Sequence, residues 1–308
     1  MMRFISFLYV AFYIASALSL YSEKLWLGEA FASMTMQLAI AALALASWAL
    51  YKADWLRGAI CAVFLFWHGG QVPWFKSTTI TPNENTTQIS ILQHNILRYY
   101  DNNQLLIDTY AKDNKHDVIF LQEVEQELDA MLPKLLEQFP YQVRADYAKG
   151  FDNALLSKLP IVSHEIIEYP YSSYLRAIVQ ASDKEVVIYG VHAASPGIPK
   201  RLKWRNEQLL RLADDINADK KPYRIITGDI NVTPYSHWFK LFIERSAMMD
   251  SMEGRGIMLT FPSFVMFGLF QVSIDHLMHS PDMFVIDKNV MPALMSDHYA
   301  VSTTLGLK

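Results

Sequence analysis

Hydrophobic positions are spread along this chain in two different ways. In the first seventy-odd residues they form long unbroken runs, whereas beyond about residue 88 they come in short runs of strand length, each closed by a polar group. The runs 4–21 and 31–51 carry no charge, and 58–75 is also uncharged but contains His68, Gly69, Gly70 and Gln71. A membrane span needs about 20 apolar residues at ~1.5 Å each. The pattern therefore predicts N-terminal transmembrane helices, three if the interrupted third run is included. A cleaved signal peptide does not fit the first run, because a second apolar segment follows it instead of a polar mature start.

In the second region the apolar runs 89–96, 117–121, 154–156, 161–168, 175–180, 186–191, 223–227, 273–278 and 299–305 predict strands. Helices are predicted over 103–112, 201–218 and 235–245; in the middle one Leu202, Leu209, Leu212 and Ile216 are spaced as an inner face. Several strands follow one another with no helix between them. That order favours an α/β sandwich of mixed sheets over a doubly wound nucleotide fold, and no G-x-G-x-x-G or G-x-x-x-x-G-K loop is present. The polar stretch 77–87 reads as a linker, which divides the chain into a membrane anchor over 1–76 and a catalytic domain over 88–308.

Charge follows the same division. The net charge is −4 over 308 residues, yet residues 1–74 hold only Arg3, Lys24, Lys52 and Arg57 against Glu23, Glu29 and Asp54. Basic residues near the spans set orientation. With three spans, Arg3, Lys52 and Arg57 lie inside, and the catalytic domain of a multi-pass inner-membrane protein faces the extracytoplasmic side. With two spans it would be cytoplasmic. The single cysteine, Cys61, excludes an intramolecular disulfide and a cysteine-based zinc cluster.

The candidate chemistry sits where strands end. Asn95 closes the first strand of the domain and Glu123 follows the apolar run DVIFL. His192 ends EVVIYGVH, Asp229 and Asn231 follow YRIIT, Asp275 lies in SIDHLM, and Asp297 with His298 precedes the last strand. Carboxylate and amide oxygens are hard ligands suited to magnesium, manganese or calcium, and Asp with His supplies a base and a phosphate-facing proton donor. Each residue alone reads as a turn, a cap or a satisfied histidine. It is the ordered set that points to phosphoester hydrolysis.

Taken in order, Gln93-His94-Asn95, Leu121-Gln122-Glu123, His192 with Ser195-Pro196, Gly228-Asp229-Ile230-Asn231, Ile274-Asp275-His276 and Ser296-Asp297-His298 resemble the motifs of the endonuclease/exonuclease/phosphatase superfamily, whose fold is like that of deoxyribonuclease I. The segments 154–161 (ALLSKLPI) and 205–213 (RNEQLLRLA), and Thr233-Pro234, resemble its membrane-anchored bacterial members. The resemblance implies a four-layer α/β sandwich with a divalent metal, Mg2+ or Mn2+, held by Asn95 and Glu123 with Asp297 nearby. It implies that Asp229 activates the water and Asn231 orients it or the phosphate. His298, oriented by Asp275, and His192 would contact the phosphate. His276 is given no role. A further carboxylate pairs with the first histidine in some nucleases, and Asp152 lies in the corresponding region.

The substrate is less sharply marked. Lys200, Arg201, Lys203 and Arg205 form a basic strip fit for a nucleic-acid backbone, though a solvated helix turn has the same look. The expected activity is that of a phosphodiesterase or nuclease, with a phospholipid or inositol-phosphate hydrolase of the same fold as the alternative. The apolar stretch 261–272 is expected to pack internally, with contact to a bilayer as the other reading. A catalytically inactive binding module belongs to a different class and would bind no magnesium. No obligate protein partner is implied; the bilayer would be met through the N-terminal helices.

Overall fold

The structure is a computed structural model that describes every residue except 1, 76–79, 99–101, 146–152, 170–171 and 265–267. Among the described residues the apolar N-terminal region forms helices α1 (Met2–Ser19), α2 (Trp26–Ser33), α3 (Thr35–Tyr51) and α4 (Trp55–Gly69). The expected span over 31–51 is not one helix. Met34 leaves helical geometry (φ −99°, ψ 24°), Thr35 Oγ1 donates to Ala32 O at 2.8 Å, and α2 meets α3 at a 71° bend. No single helix is long and apolar enough to cross a membrane; α2 and α3 reach that length only together, across the bend. The anticipated transmembrane helices are thus absent as single straight spans among the described residues. Helices α1, α3 and α4 pack on one another through Tyr9, Phe12, Leu38, Ala42, Ala46, Ala49 and Cys61. Phe7, Val10, Leu43, Leu56, Val63 and Phe66 point outward and are exposed.

The second region folds into two six-stranded sheets. In chain order it contains β1 (Gln88–Asn95), α5 (Asn103–Tyr110), β2 (Val118–Gln122), α6 (Gln126–Met131), β3 (Tyr141–Ala145), β4 (Asn153–Ser157), β5 (Ile161–Tyr169), β6 (Ser172–Ala181) and β7 (Lys184–Val191). Then come α7 (Pro199–Ala218), β8 (Tyr223–Asp229), α8 (His237–Ser246), β9 (Met249–Asp250), β10 (Asp275–His279), β11 (Met283–Met291) and β12 (Ala300–Leu307). One sheet runs β11-β12-β1-β2-β4-β3 and the other β5-β6-β7-β8-β10-β9.

Alternation along the strands builds the layers, because successive side chains point to opposite faces. Ile89 and Ile91 of β1, Val118 and Phe120 of β2, Ile188 of β7 and Ile225 of β8 face inward and form the core between the sheets. Leu92, Ile119 and Leu121 face outward and are covered by Leu106 and Ile107 of α5 and Leu128 of α6. On the far side Val187, Tyr189 and Ile226 meet Leu209, Leu212 and Ile216 of α7, with Phe239 and Phe242 of α8. The result is helix, sheet, sheet, helix: a mixed α/β sandwich, as expected.

Register decides where the functional groups fall. Each sheet has one parallel pair at its centre, β1 with β2 and β7 with β8, and each pair is joined through a helix. Parallel neighbours end at the same edge. Asn95 is therefore opposite Gln122, the residue before Glu123, and His192 and Asp229 leave β7 and β8 together. The antiparallel strands β10 and β12 begin at that edge: Asp275 pairs with Asp229, and Val301 with Gln93.

Candidate active site

Residues aimed from strand ends need a backbone that turns sharply. Glu123 (φ 63°) and Asn231 (φ 52°) both adopt the left-handed conformation that side chains other than glycine rarely take. Gly228 precedes Asp229 at φ 139°, where a Cβ would lie 1.9 Å from Val191 O. Only glycine allows β8 to pass this close to β7 while delivering Asp229 to the edge.

The eight expected residues meet. Asn95 Nδ2 donates to Glu123 Oε1 at 3.2 Å and to Asp229 Oδ2 at 3.3 Å. His192 Nε2 stands 3.8 Å from both carboxylates. Asn231 closes on Asp229 twice, its backbone N–H to Oδ1 at 2.9 Å and its Nδ2 to Oδ2 at 3.1 Å. His298 Nδ1 bonds Asp275 Oδ2 at 2.8 Å, which leaves Nε2 facing Asp229 Oδ2 at 3.8 Å and Asp297 Oδ1 at 3.9 Å. All but Glu123 and Asp297 are buried.

Electrostatics separates the roles. Burial raises the Asp229 carboxyl to about 8, reinforced by Asp275 and opposed by His298 and its amide partners. A carboxylate of raised pKa is a stronger base. Burial pushes His298 down, but the charge and hydrogen bond of Asp275, with Asp229 and Asp297, outweigh it and raise the imidazole to about 10. His298 is thus a cation aimed at the site. Burial lowers His192 to about 4 against the pull of Glu123, so this second histidine is neutral. For Glu123 burial is outweighed by His192, Asn95 and Arg98, and the carboxyl is held low and ionised.

The donors suit a hard divalent cation. Asn95 stands between two carboxylates, and its amide oxygen and nitrogen are exchangeable by a flip. Asp297 Oδ1 is buried with no hydrogen-bond partner among the described residues. Asp229, Asp275 and His298 also bring ligand atoms within 4.8 Å of one another. However, Asp275 Oδ2 is committed to His298 Nδ1, so this trio works better as a relay than as a cage. Asp297 Oδ1 and Asp275 Oδ1 lack hydrogen-bond partners among the described residues, while the Glu123 and Asn95 oxygens accept from Asn95 Nδ2, Arg98 N and Leu97 N, donors that a cation would displace.

Several supporting residues carried no separate signal in the sequence. His94, flanking Asn95, bonds Tyr110 Oη at 2.7 Å and the His298 carbonyl at 3.3 Å, which ties the first motif to the last. Ser296 Oγ donates to Asn95 O at 2.6 Å and accepts from the His298 backbone N–H at 3.0 Å. The Phe261 ring packs on His298 with centroids 4.7 Å apart. His276, given no role, bonds Val232 O and packs on Phe239, so it is structural.

Two expectations are corrected. Arg205 does not belong to a solvated basic strip: it is buried against Glu29 at 2.8 Å, and its side chain points inward from α7. The stretch 261–272 does not simply pack internally, since Phe264, Leu269 and Phe270 are exposed beside the packed Phe261. Asp152 and Phe267 lie outside the described residues.

Two sheets flanked by helices, with carboxylates, amides and histidines gathered at one edge, define a hydrolase of the α/β-sandwich class. Residues 80–298 match the model of the Endonuclease/Exonuclease/phosphatase family, and the chain belongs to that family. No curated protein matches. Among solved structures the chain is similar to D. rerio TDP2 complexed with single strand DNA product (TM-score 0.58, 17% identity, covering 71% of this chain and 99% of that one). It is also similar to an endonuclease/exonuclease/phosphatase from Beutenbergia cavernae (TM-score 0.57, 19% identity, 72% of each chain). A third likeness is to a family protein from Bacteroides thetaiotaomicron (TM-score 0.58, 16% identity, 73% of this chain and 99% of that one). At these identities the likeness is one of fold.

Proposed function

We propose that this protein is a divalent-metal-dependent phosphodiesterase, with nucleic acid as the first substrate class to test. The observation that carries the reading is the meeting of Asn95, Glu123, His192, Asp229, Asn231, Asp275, Asp297 and His298 at one edge shared by both sheets. Asn95 and Glu123, with Asp297, would hold Mg2+ or Mn2+, which supplies charge neutralisation at the phosphate and lowers the pKa of water. Asp229 takes the proton from the attacking water, and Asn231 fixes the carboxylate's orientation through its two hydrogen bonds. His298, charged and held by Asp275, stabilises negative charge growing on the phosphoryl oxygens and delivers a proton to the leaving oxygen. His192, neutral, donates a hydrogen bond from the opposite wall. The complex of D. rerio TDP2 with a single-strand DNA product supports trying nucleic acid first.

A phospholipid substrate is the second reading, favoured by one observation. Phe264, Leu269 and Phe270 are exposed on the segment that places Phe261 against His298, and Gln37 at the start of α3 bonds the Gln271 carbonyl at 2.7 Å. This segment therefore meets the start of α3 directly. We infer that α1, α3 and α4, with their exposed outer faces, seat the enzyme in a bilayer in the manner of membrane-anchored bacterial relatives, and that the catalytic domain of this multi-pass inner-membrane protein faces the extracytoplasmic side. Helices of 15 to 18 residues fall short of the ~20 residues of a straight span, and thinning of the bilayer accommodates such a mismatch at modest cost.

The deciding experiment assays the full-length protein on single-stranded DNA, RNA, sphingomyelin, inositol phosphates and bis-p-nitrophenyl phosphate, with Mg2+ or Mn2+. Hydrolysis of a diester that disappears in Asp229→Asn supports the reading. A folded protein inert on every substrate would make the chain a binding module instead.

A further inference from the structure

The residues that match the family begin at 80, yet the site does not end there. Helix α2 is pressed against the catalytic edge by bonds to both of its loops. Trp26 Nε1 donates to Pro196 O at 2.8 Å, on the loop that follows His192. Glu29 is buried and accepts from Arg205 Nη2 at 2.8 Å, and from Ser236 Oγ at 2.9 and 2.7 Å on its two oxygens. The side chains of Arg205 and Glu29 are only 1% and 3% exposed. Gly28 permits this seating, since a Cβ there would lie 2.6 Å from Tyr21 O in the turn that follows α1.

The chain of contacts then continues inward. Arg205 Nη1 donates to the Asn231 carbonyl at 2.8 Å. Asn231 is the residue held at φ 52°, and its backbone and side chain both bond Asp229. Asparagine tolerates the left-handed region better than other side chains, and here that backbone is also held by its contacts. One fixing group is a guanidinium held by a carboxylate from outside the sandwich and by Asn206 Oδ1 beside it. A buried guanidinium without that carboxylate would be an uncompensated charge, left with only the neutral Asn206 Oδ1 and Asn231 carbonyl as partners, and its hold on Asn231 would loosen.

We propose that Glu29 is a positioning residue for catalysis: through Arg205 it holds the Asn231 backbone, and through Asn231 it orients the Asp229 carboxylate, so that α2 is a working part of the active site and not only part of an anchor. The proposal rests on the hydrolase reading above.

The test uses the full-length protein in detergent or nanodiscs, with bis-p-nitrophenyl phosphate and Mn2+ as probes. Wild-type turnover that is abolished in Asp229→Asn secures the underlying reading independently of any result at Glu29. Glu29→Gln is expected to lower kcat at least tenfold with KM within twofold, measured at a temperature where the variant is folded. The double variant Glu29→Met with Arg205→Met removes both charges and restores packing. It is expected to recover thermal stability relative to Glu29→Gln while kcat stays at least tenfold down, because nothing then donates to the Asn231 carbonyl. A folded Glu29→Gln protein with kcat within twofold of wild type overturns the proposal. So does a double variant whose kcat returns to wild type along with its stability, which would make the ion pair a docking contact alone.

Discussion

The sandwich and the N-terminal helices are both rich in apolar residues, but they dispose of them in opposite ways. In the sandwich, apolar side chains are consumed between the layers, and the polar groups left over collect at one edge, where they form a site. In the helices, Phe7, Val63 and Phe66 stay outside, while the carboxylate of Glu29 is inside and paired with the neighbouring domain. The helices thus have an apolar core of their own and leave further apolar side chains uncovered on their outer faces. The difference teaches that the two regions are distinct in what covers them but are not separable pieces: α2, Arg205 and Asn231 form one hydrogen-bonded unit.

The largest effects should come from the sandwich edge. Chelation with EDTA is expected to silence hydrolysis, and added Mg2+ or Mn2+ to restore it; full activity in EDTA would remove the metal from the reading. Asp229→Asn should lower kcat/KM by ~10²–10⁴, the usual worth of a positioned base, with the circular dichroism spectrum unchanged. Glu123→Ala and His298→Ala should be comparably inactive, and wild-type rates in any of the three would clear that residue of its role.

A pH series on the metal-free protein sharpens the contrast further. His298 is raised to about 10 by Asp275, whereas an unfolded histidine titrates near ~6.5. Its contribution to stability is therefore complete below ~6.5, declines as pH rises, and is gone above about 10. Asp275 is held below the usual carboxylate range, burial being outweighed by His298, so its share is complete above an unfolded pKa of ~3.9 and is lost as pH falls below it through the folded value. Asp275→Asn should accordingly lower Tm most between those two limits, by roughly 6–12 °C for a loss on the order of 3 kcal/mol. That gap should close as the pH approaches 10, and a gap that widens with pH would overturn the assignment of charge. Replacing Lys200, Arg201 and Lys203 with alanine should have a smaller effect, a several-fold rise in KM for single-stranded DNA that fades at high salt, and no effect on bis-p-nitrophenyl phosphate.

Legibility in the sequence followed the same boundary. Strand runs of alternating or continuous apolar residues carried the positions of β1, β2, β7 and β8 to within a few residues, and with them the edge where the site lies. Tyr141–Ala145 was missed because YQVRA offers one strong apolar position on an outer strand, and Met283–Met291 because Asp287 and Lys288 interrupt it. Lys288 is nevertheless buried, its ammonium bonded to Ser251 Oγ at 2.6 Å. The eight site residues were legible as an ordered set of strand-end groups. The holding roles of His94, Ser296 and Arg205 were not, although all three stand in the quoted motifs, since a buttress is defined by its contacts in space, such as that between His94 and His298, 204 positions apart. The break at Met34 had no glycine or proline to announce it, and Glu29 stood only as one of three acidic residues in the first 74, because its partner lies 176 residues away.

The smallest expected effect on turnover, and the most direct test of what covers the helices, lies on the outer face of α4. Val63 is 68% exposed and Phe66 85% exposed, three residues apart on one side of the helix. A charge placed mid-bilayer costs ~2.5–3.5 kcal/mol on insertion scales, so Val63→Asp with Phe66→Asp should shift the protein out of the membrane fraction on alkaline extraction. Neither residue belongs to the packed cluster of Tyr9, Ala42 and Cys61, so hydrolysis of a soluble diester should stay within twofold of wild type. Unchanged membrane retention would mean that the face meets protein rather than lipid. A large loss of turnover would mean instead that the outer helices, and not α2 alone, are coupled to the Asp229 edge.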